Sequence, residues 1–329
     1  MSASYSDAVP TLEVRDLRTT FHLDAGKLHA VNGVSFSVGR GRILGLVGES
    51  GSGKSITGFS IMRLVDEPGR VDGGQILFQG RDITHLNNSQ MRELRGNRIA
   101  MILQDPMMTL NPVLRIETQI VETIQAHEKV SREVARARAC EALALVGIPS
   151  PSERLSNYPH QFSGGMRQRV AIAIAMLHKP DLIIADEPTT ALDVTIQSQI
   201  LAEVRKLTRE FGTSFIWITH DLSVVAGLSD DVAVMYAGRI VESGPVDAVL
   251  DRPLHPYTVG LVGSIPSQSL GRPRLTQIPG MTPNMLNLPA GCPFRTRCSK
   301  ADAACEQTPP ETEPEPGRTL RCFHPVGHA

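Results

Sequence analysis

The sequence predicts an α/β protein on three observations. Two short apolar runs, LIIAD from Leu182 and SFIWIT from Ser214, carry no polar alternation, as expected of strands buried on both faces of a parallel sheet. A third run, RILGLVG, passes straight into glycines. Between such runs lie stretches of helical periodicity with recognisable caps. Buried strands alternating with helices define this class.

Taken in order, AVNGVSFSVGRG places Val31, Val34, Phe36 and Val38 on strands with one buried face, ending at a glycine turn. The segment SREVARARACEALALVG opens on Ser131 as an N-cap and stops at Gly147. Its expected apolar stripe is Val134, Ala137, Cys140, Leu143 and Val146, which makes Cys140 a small core residue. A second helix, TIQSQILAEVRKLTREFG, ends at Gly212. After about residue 250 the texture turns Pro-rich, and PPETEPEPG is expected to be irregular. A chain of 329 residues can bury one large core and carry an appendage.

Several classes are disfavoured. The net charge of −1 argues against a protein held to nucleic acid or anionic lipid by bulk charge. The longest apolar run, Val170 to Leu177, is far short of the roughly 20 residues of a membrane span. The opening MSASYSDAVPTLEVRD lacks the basic and apolar regions of a secretory signal, so a cytoplasmic protein is expected.

The first chemical motif is GESGSGKS, which fits G-x-x-x-x-G-K-[ST] after an apolar strand. Gly48, Glu49, Ser50, Gly51, Ser52, Gly53, Lys54 and Ser55, with Ile56 behind them, form a candidate ATP-binding loop. Glycines let the backbone wrap phosphate oxygens so that successive amides point inward. The next helix presents its positive end to the same charge. Lys54 supplies a cation at the β- and γ-phosphates, and the Ser55 hydroxyl can ligate Mg²⁺. The second motif is LIIADEP. Asp186 at the strand end is placed to hold Mg²⁺, and Glu187 can polarise an attacking water.

Between these motifs lies FSGGMRQRV, Phe162 to Val170, which resembles the signature of ATP-binding-cassette (ABC) ATPases, usually written LSGGQ. The other family elements stand in order: MILQDP with Gln104 as the Q-loop glutamine, TTALDV with Asp193 in the D-loop, and WITHD with His220 as the switch histidine. Phe162 and Met166 replace the generic Leu and Gln, and Ile56 stands where Thr is commoner. The resemblance implies a P-loop ABC-type fold: a RecA-like core, an antiparallel β-subdomain and an inserted α-helical subdomain at about 105–178. It implies that the signature residues Ser163, Gly164, Gly165 and Met166 complete the site of a partner cassette in trans, with Ser163 and the two glycines facing the γ-phosphate and Met166 carrying no phosphate contact. Gln104 would contact Mg²⁺ and the attacking water, His220 the γ-phosphate, and Phe21 would stack on adenine. Read by itself, Phe21 is equally a half-buried strand aromatic.

LHPYTVGLVGSIPS, Leu254 to Ser267, and the following residues through RCFHP resemble the C-terminal region of ATPases of oligopeptide and dipeptide importers, in which FSGGMRQRV is the usual signature. The expected domains are 11–262 for the cassette and 263–329 for a small Cys-rich extension. The resemblance implies peptide import as the powered process. Nickel or oligosaccharide import is the alternative, and a non-transport ABC ATPase is the rival. The implied partners are two membrane permeases, a second cassette, identical or paralogous, and an extracytoplasmic solute-binding protein, with no nucleic acid. The expected place is the cytoplasmic face of the plasma membrane. Four of the five cysteines, Cys292, Cys298, Cys305 and Cys322, fall in the extension. Their number matches a [4Fe–4S] cluster or tetrahedral Zn²⁺. Their long gaps disfavour zinc knuckles, unpaired thiols that bind nothing are a third reading, and the resemblance implies the cluster, in a structural role before a redox one.

Overall fold

Alternating burial at the N-terminus is realised as a hairpin of β1 (Leu12–Leu23) and β2 (Gly26–Val38), in which Val31, Val34 and Val38 are buried. The computed structural model describes residues 9–190, 192–265 and 277–327, so Ala191 of TTALDV and the end of the 254–267 segment lie outside the described residues. The described chain divides into two compact units. The first comprises 1–39, 43–84 and 217–329, and the second 40–42 and 85–216.

In the first unit β3 (Ile43–Val47) is buried at every position and leads through a loop into α1 (Lys54–Met62). The strands β4 (Gly69–Phe78) and β5 (Arg81–Asp82) complete an antiparallel sheet of order β2-β1-β4-β5.

The second unit begins with α2 (Asn88–Leu94), started by a capping box in which Asn87 and Gln90 exchange side-chain and backbone bonds. It continues with β6 (Ile99–Ile102), α3 (Pro106–Thr109), α4 (Ile116–His127), α5 (Arg132–Leu145), α6 (Pro151–Arg154) and α7 (Gly164–Met176). Strand β7 (Leu182–Asp186) pairs in parallel with β6 and is buried throughout. Helix α8 (Val194–Phe211) ends on Gly212 in the left-handed conformation, as the sequence predicts.

The stripe expected on α5 holds at Leu143 and Val146 and shifts in the turns before them. Its buried residues are Ala135, Ala139 and Leu143, whereas Val134 is 49% exposed and Cys140 is half-buried. Helix α4, which buries Ile116, Ile120, Val121 and Ile124, packs against α5, and small residues at four-residue spacing favour such close approach. The branched Val134 is left at the solvent end of the first turn. Ser131 does cap this helix, accepting from the Val134 N–H at 3.3 Å.

The boundary between the units falls within β8 (Ser214–Thr219). The first unit then resumes with α9 (Leu222–Leu228), β9 (Asp231–Tyr236), β10 (Arg239–Pro245), α10 (Val246–Asp251) and α11 (Pro256–Gly263). Strand β9 runs parallel to β3 and antiparallel to β10. The expected irregularity of PPETEPEPG is corrected: β11 (Thr312–Glu315) lies inside it and pairs with β12 (Arg318–Leu320), which pairs in turn with β10. An edge strand tolerates Pro314, because no further strand needs its missing N–H. Described residues of the segment after 262 join the core of the first unit. Cys292, Phe294 and Cys305 pack in one cluster with Val47, Val234, Tyr236 and Tyr257. Among the described residues no helix is long and apolar enough to cross a membrane.

Candidate nucleotide site

The predicted phosphate loop joins β3 to α1 in the first unit. Gly53 caps α1 at φ 105°, and a Cβ there would stand 2.2 Å from the Ala30 carbonyl oxygen. Only glycine fits that turn and that approach. The Lys54 ammonium donates to the carbonyls of Gly48 at 2.8 Å and Glu49 at 3.0 Å, which stations a buried cation across the loop. The Ser52 N–H donates to the Glu49 carbonyl at 3.2 Å, and the Gly238 N–H donates to the Ser52 carbonyl at 2.9 Å. Thr57 locks the first turn by donating to the Gly53 carbonyl at 3.0 Å. The loop is thus held by its own backbone and by the β9–β10 turn.

Glu49 has partners that the sequence does not announce. Its N–H donates to the Tyr257 hydroxyl at 2.8 Å. Its carboxylate accepts both Nη groups of Arg297, at 2.6 and 3.0 Å. Burial pushes the Tyr257 phenol up, so it stays a neutral hydroxyl. His255, wholly buried, caps α11 by accepting from the Tyr257 N–H at 3.0 Å, and burial pushes it down to about 3. Tyr257 belongs to the HPYT segment noticed as a family mark, but its hydroxyl's destination was not readable. Arg297, between two of the cysteines, carried no signal at all.

Phe21 lies on β1 and is half-buried, opposite Gly69 of β4, where its ring edge and Val65 occupy the space that a Cβ on Gly69 would need. His220 follows the last residue of β8 and is exposed.

The second unit brings together another group. Asp186 ends β7 and is buried. Glu187 follows with φ 44°, a left-handed conformation that costs a non-glycine residue about 1–3 kcal/mol. Its Oε2 accepts from the Thr190 hydroxyl at 3.1 Å and from the Gln104 amide at 3.3 Å. The Q-loop glutamine and the carboxylate are therefore hydrogen-bonded neighbours. Ser163 caps α7, its Oγ accepting from the Met166 N–H at 3.3 Å. Gly164 is exposed with open space where a Cβ would stand, and Gly165 approaches Ile196. Asp193 caps α8 by accepting from the Ile196 N–H at 3.0 Å.

The four C-terminal cysteines line a single cavity with Phe294, Pro309 and Phe323, and none of them is in a disulfide. Gly291 at φ 77° lets the Cys292 N–H reach the Cys305 carbonyl at 3.0 Å, since a Cβ would strike the Glu306 and Cys305 backbone at 2.4 and 2.5 Å. Asp302, Cys305 and His324 form a second donor group with ligand atoms within 4.8 Å of one another.

This fold, with a glycine loop opening α1 and an Asp–Glu pair ending β7, defines a P-loop nucleotide hydrolase. Comparisons with known proteins narrow the class. The ABC transporter family profile matches residues 31–190, and the profile for the oligopeptide/dipeptide transporter C-terminal region matches 241–305. The oligopeptide transport ATP-binding protein OppD of Escherichia coli (strain K12) is 48% identical over 96% of this chain and 93% of its own length. The dipeptide transport ATP-binding protein DppD of Bacillus subtilis (strain 168) is 47% identical over 95% of this chain and 94% of its own. Among solved structures, a dimeric post-hydrolysis ATP-binding cassette bound to ADP and Pi superposes with TM-score 0.65 at 25% identity, covering 71% of this chain and 98% of that one. The chain belongs to the ATP-binding ATPases of ABC transporters, in the branch that carries the oligopeptide/dipeptide transporter C-terminal region.

Proposed function

We propose that this chain hydrolyses ATP to power import of peptides through two partner permease subunits. The observation that carries the reading is the near-full-length match to oligopeptide and dipeptide transport ATP-binding proteins, through both the cassette and the C-terminal region. Backbone amides from Gly48 to Ile56 and the Lys54 ammonium bind the phosphates. Phe21 offers its face to adenine. Mg²⁺ supplies charge neutralisation at the phosphates, and Ser55, Asp186 and Gln104 are the residues to hold it. Glu187 accepts the proton of the attacking water, with Gln104 orienting that water and His220 on the γ-phosphate. A second cassette, identical or paralogous, supplies Ser163, Gly164, Gly165 and Met166 in trans, with Asp193 beside that junction. An extracytoplasmic binding protein delivers the peptide. The chain works peripherally on the cytoplasmic face of the membrane. Reconstitution with the two permeases and the binding protein in proteoliposomes tests this: ATP-dependent peptide accumulation is expected, and ATP hydrolysis without any peptide accumulation would refute peptide import.

The extension is read as a metal domain. Four cysteines outside any disulfide, gathered around one cavity, fit a soft, thiolate-ligated group, and a [4Fe–4S] cluster is preferred to zinc. Its role is to fix the 291–305 loop. Protein purified without oxygen should carry about four iron and four sulfide per chain. These should be lost in Cys298→Ser, whereas one zinc per chain would favour the alternative.

A further inference from the structure

Every polar group of Glu49 is engaged within the first unit. Its carbonyl accepts from Lys54, its N–H donates to Tyr257, and its carboxylate takes the Arg297 fork. Of these partners, Tyr257 and Arg297 belong to the C-terminal region. Arg297 is built for a fixed position. Its side chain is 4% exposed, its Nε donates to the Pro279 carbonyl at 2.8 Å, and Nη1 reaches the Tyr236 hydroxyl at 3.4 Å. Its guanidinium carbon lies 5.9 Å from the ring centroids of both Tyr236 and Phe294, within cation–π range. A buried cation of this kind is tolerated only when paired, and a bidentate fork fixes orientation as well as distance.

The backbone that carries Arg297 is the cysteine loop itself. The Arg297 N–H donates to the Phe294 carbonyl at 2.9 Å, the Arg295 N–H to the Cys292 carbonyl at 3.1 Å, and the Cys292 N–H to the Cys305 carbonyl at 3.0 Å. One turn therefore separates the thiols from the side chain that grips the phosphate loop. The aromatic trio Tyr236, Tyr257 and Phe294, with centroids 4.6 to 5.4 Å apart, closes the wall behind it.

We propose that Arg297 is a positioning residue for ATP binding, through which the integrity of the cysteine loop sets the geometry of the phosphate loop. The proposal rests on the reading of Gly48 to Ser55 as the nucleotide loop. If the turn at 292–298 slackens, the fork loses its registry and the Glu49 carboxylate is freed toward the loop. The amides that must converge on the phosphates then lose their frame, and a like charge lies closer to the nucleotide. Arg297 acts through Glu49 of the phosphate loop, so its loss acts on affinity before it acts on the hydrolytic step.

The test uses the full chain, with equilibrium binding of Mg-ADP and the KM and kcat for ATP. Arg297→Met should raise the ADP dissociation constant and the KM about tenfold, with kcat changed less than about twofold. Arg297→Lys, which keeps the charge and loses the fork, should recover part of that. Glu49→Gln is the second variant, on the half-exposed side of the pair. It should weaken binding by a similar factor, and the double variant should be no weaker than the worse single one. Cys298→Ser should weaken ADP binding in the Arg297 background and leave it unmoved in the Arg297→Met background. Strictly additive losses, variants that bind ADP like the wild type, or a Cys298→Ser effect independent of Arg297 would each overturn the proposal. A wild-type chain that binds no nucleotide would instead overturn the reading of the loop on which it rests.

Discussion

The phosphate loop and the cysteine loop of 291–305 are two irregular segments in one unit, and they are held in opposite ways. In the first, Lys54, Ser52 and Thr57 satisfy carbonyls of the loop, and a turn from β9–β10 closes it. In the second, short backbone turns and a single 3-10 turn at Ala303–Glu306 surround a cavity whose inward groups are thiols. The first loop is shaped by hydrogen bonds of its own residues and of the neighbouring turn. The second is fixed through side chains that reach into its surroundings, the Arg297 fork on Glu49 and Phe294 against Tyr236 and Tyr257. The lesson is that one is preorganised by its backbone, the other by its anchors in the neighbouring core.

The largest expected effect falls on the ion pair that ties the C-terminal hairpin to β10. Arg318 and Glu242 are buried at 1% and 0% side-chain exposure, bonded at 2.6 Å, with the Leu254 and His255 N–H groups also on Glu242. Arg318→Ala leaves Glu242 buried without its cation, so thermal or denaturant unfolding should show a loss of about 3–5 kcal/mol. The next effect strikes the phosphate loop alone. Gly53→Ala must displace the Ala30 carbonyl, and calorimetric titration should show ATP affinity reduced about a hundredfold, near 3 kcal/mol. Metal content of the tail should be unchanged in that variant. A smaller effect sharpens the role of Phe21: Phe21→Leu keeps its packing on Gly69 but removes the aromatic face, and should raise the KM for ATP by roughly 1 kcal/mol of lost stacking, with kcat unmoved.

Much of this was readable where chemistry lies in contiguous residues. Gly48 to Ser55 announces itself because a loop that wraps phosphate with its own amides must carry its glycines in order. LIIAD and SFIWIT read as buried strands because neither face meets water. The α5 stripe held at Leu143 and Val146 but missed earlier in the helix, where Ala135 and Ala139 are buried in place of Val134 and Ala137. The β11–β12 hairpin was hidden because composition says nothing of an edge that a neighbouring strand can recruit. The grip of Arg297 on Glu49 spans 248 residues and follows from no local pattern.

The central claim is that Glu187, held in its left-handed turn beside Gln104, is the base of an ATP-hydrolysing subunit. The most direct measurement is single-turnover hydrolysis of ATP by Glu187→Gln, with equilibrium ATP binding measured on the same protein. Binding should be retained and turnover should fall by at least about 10²-fold. Hydrolysis at the wild-type rate by that variant would contradict the assignment.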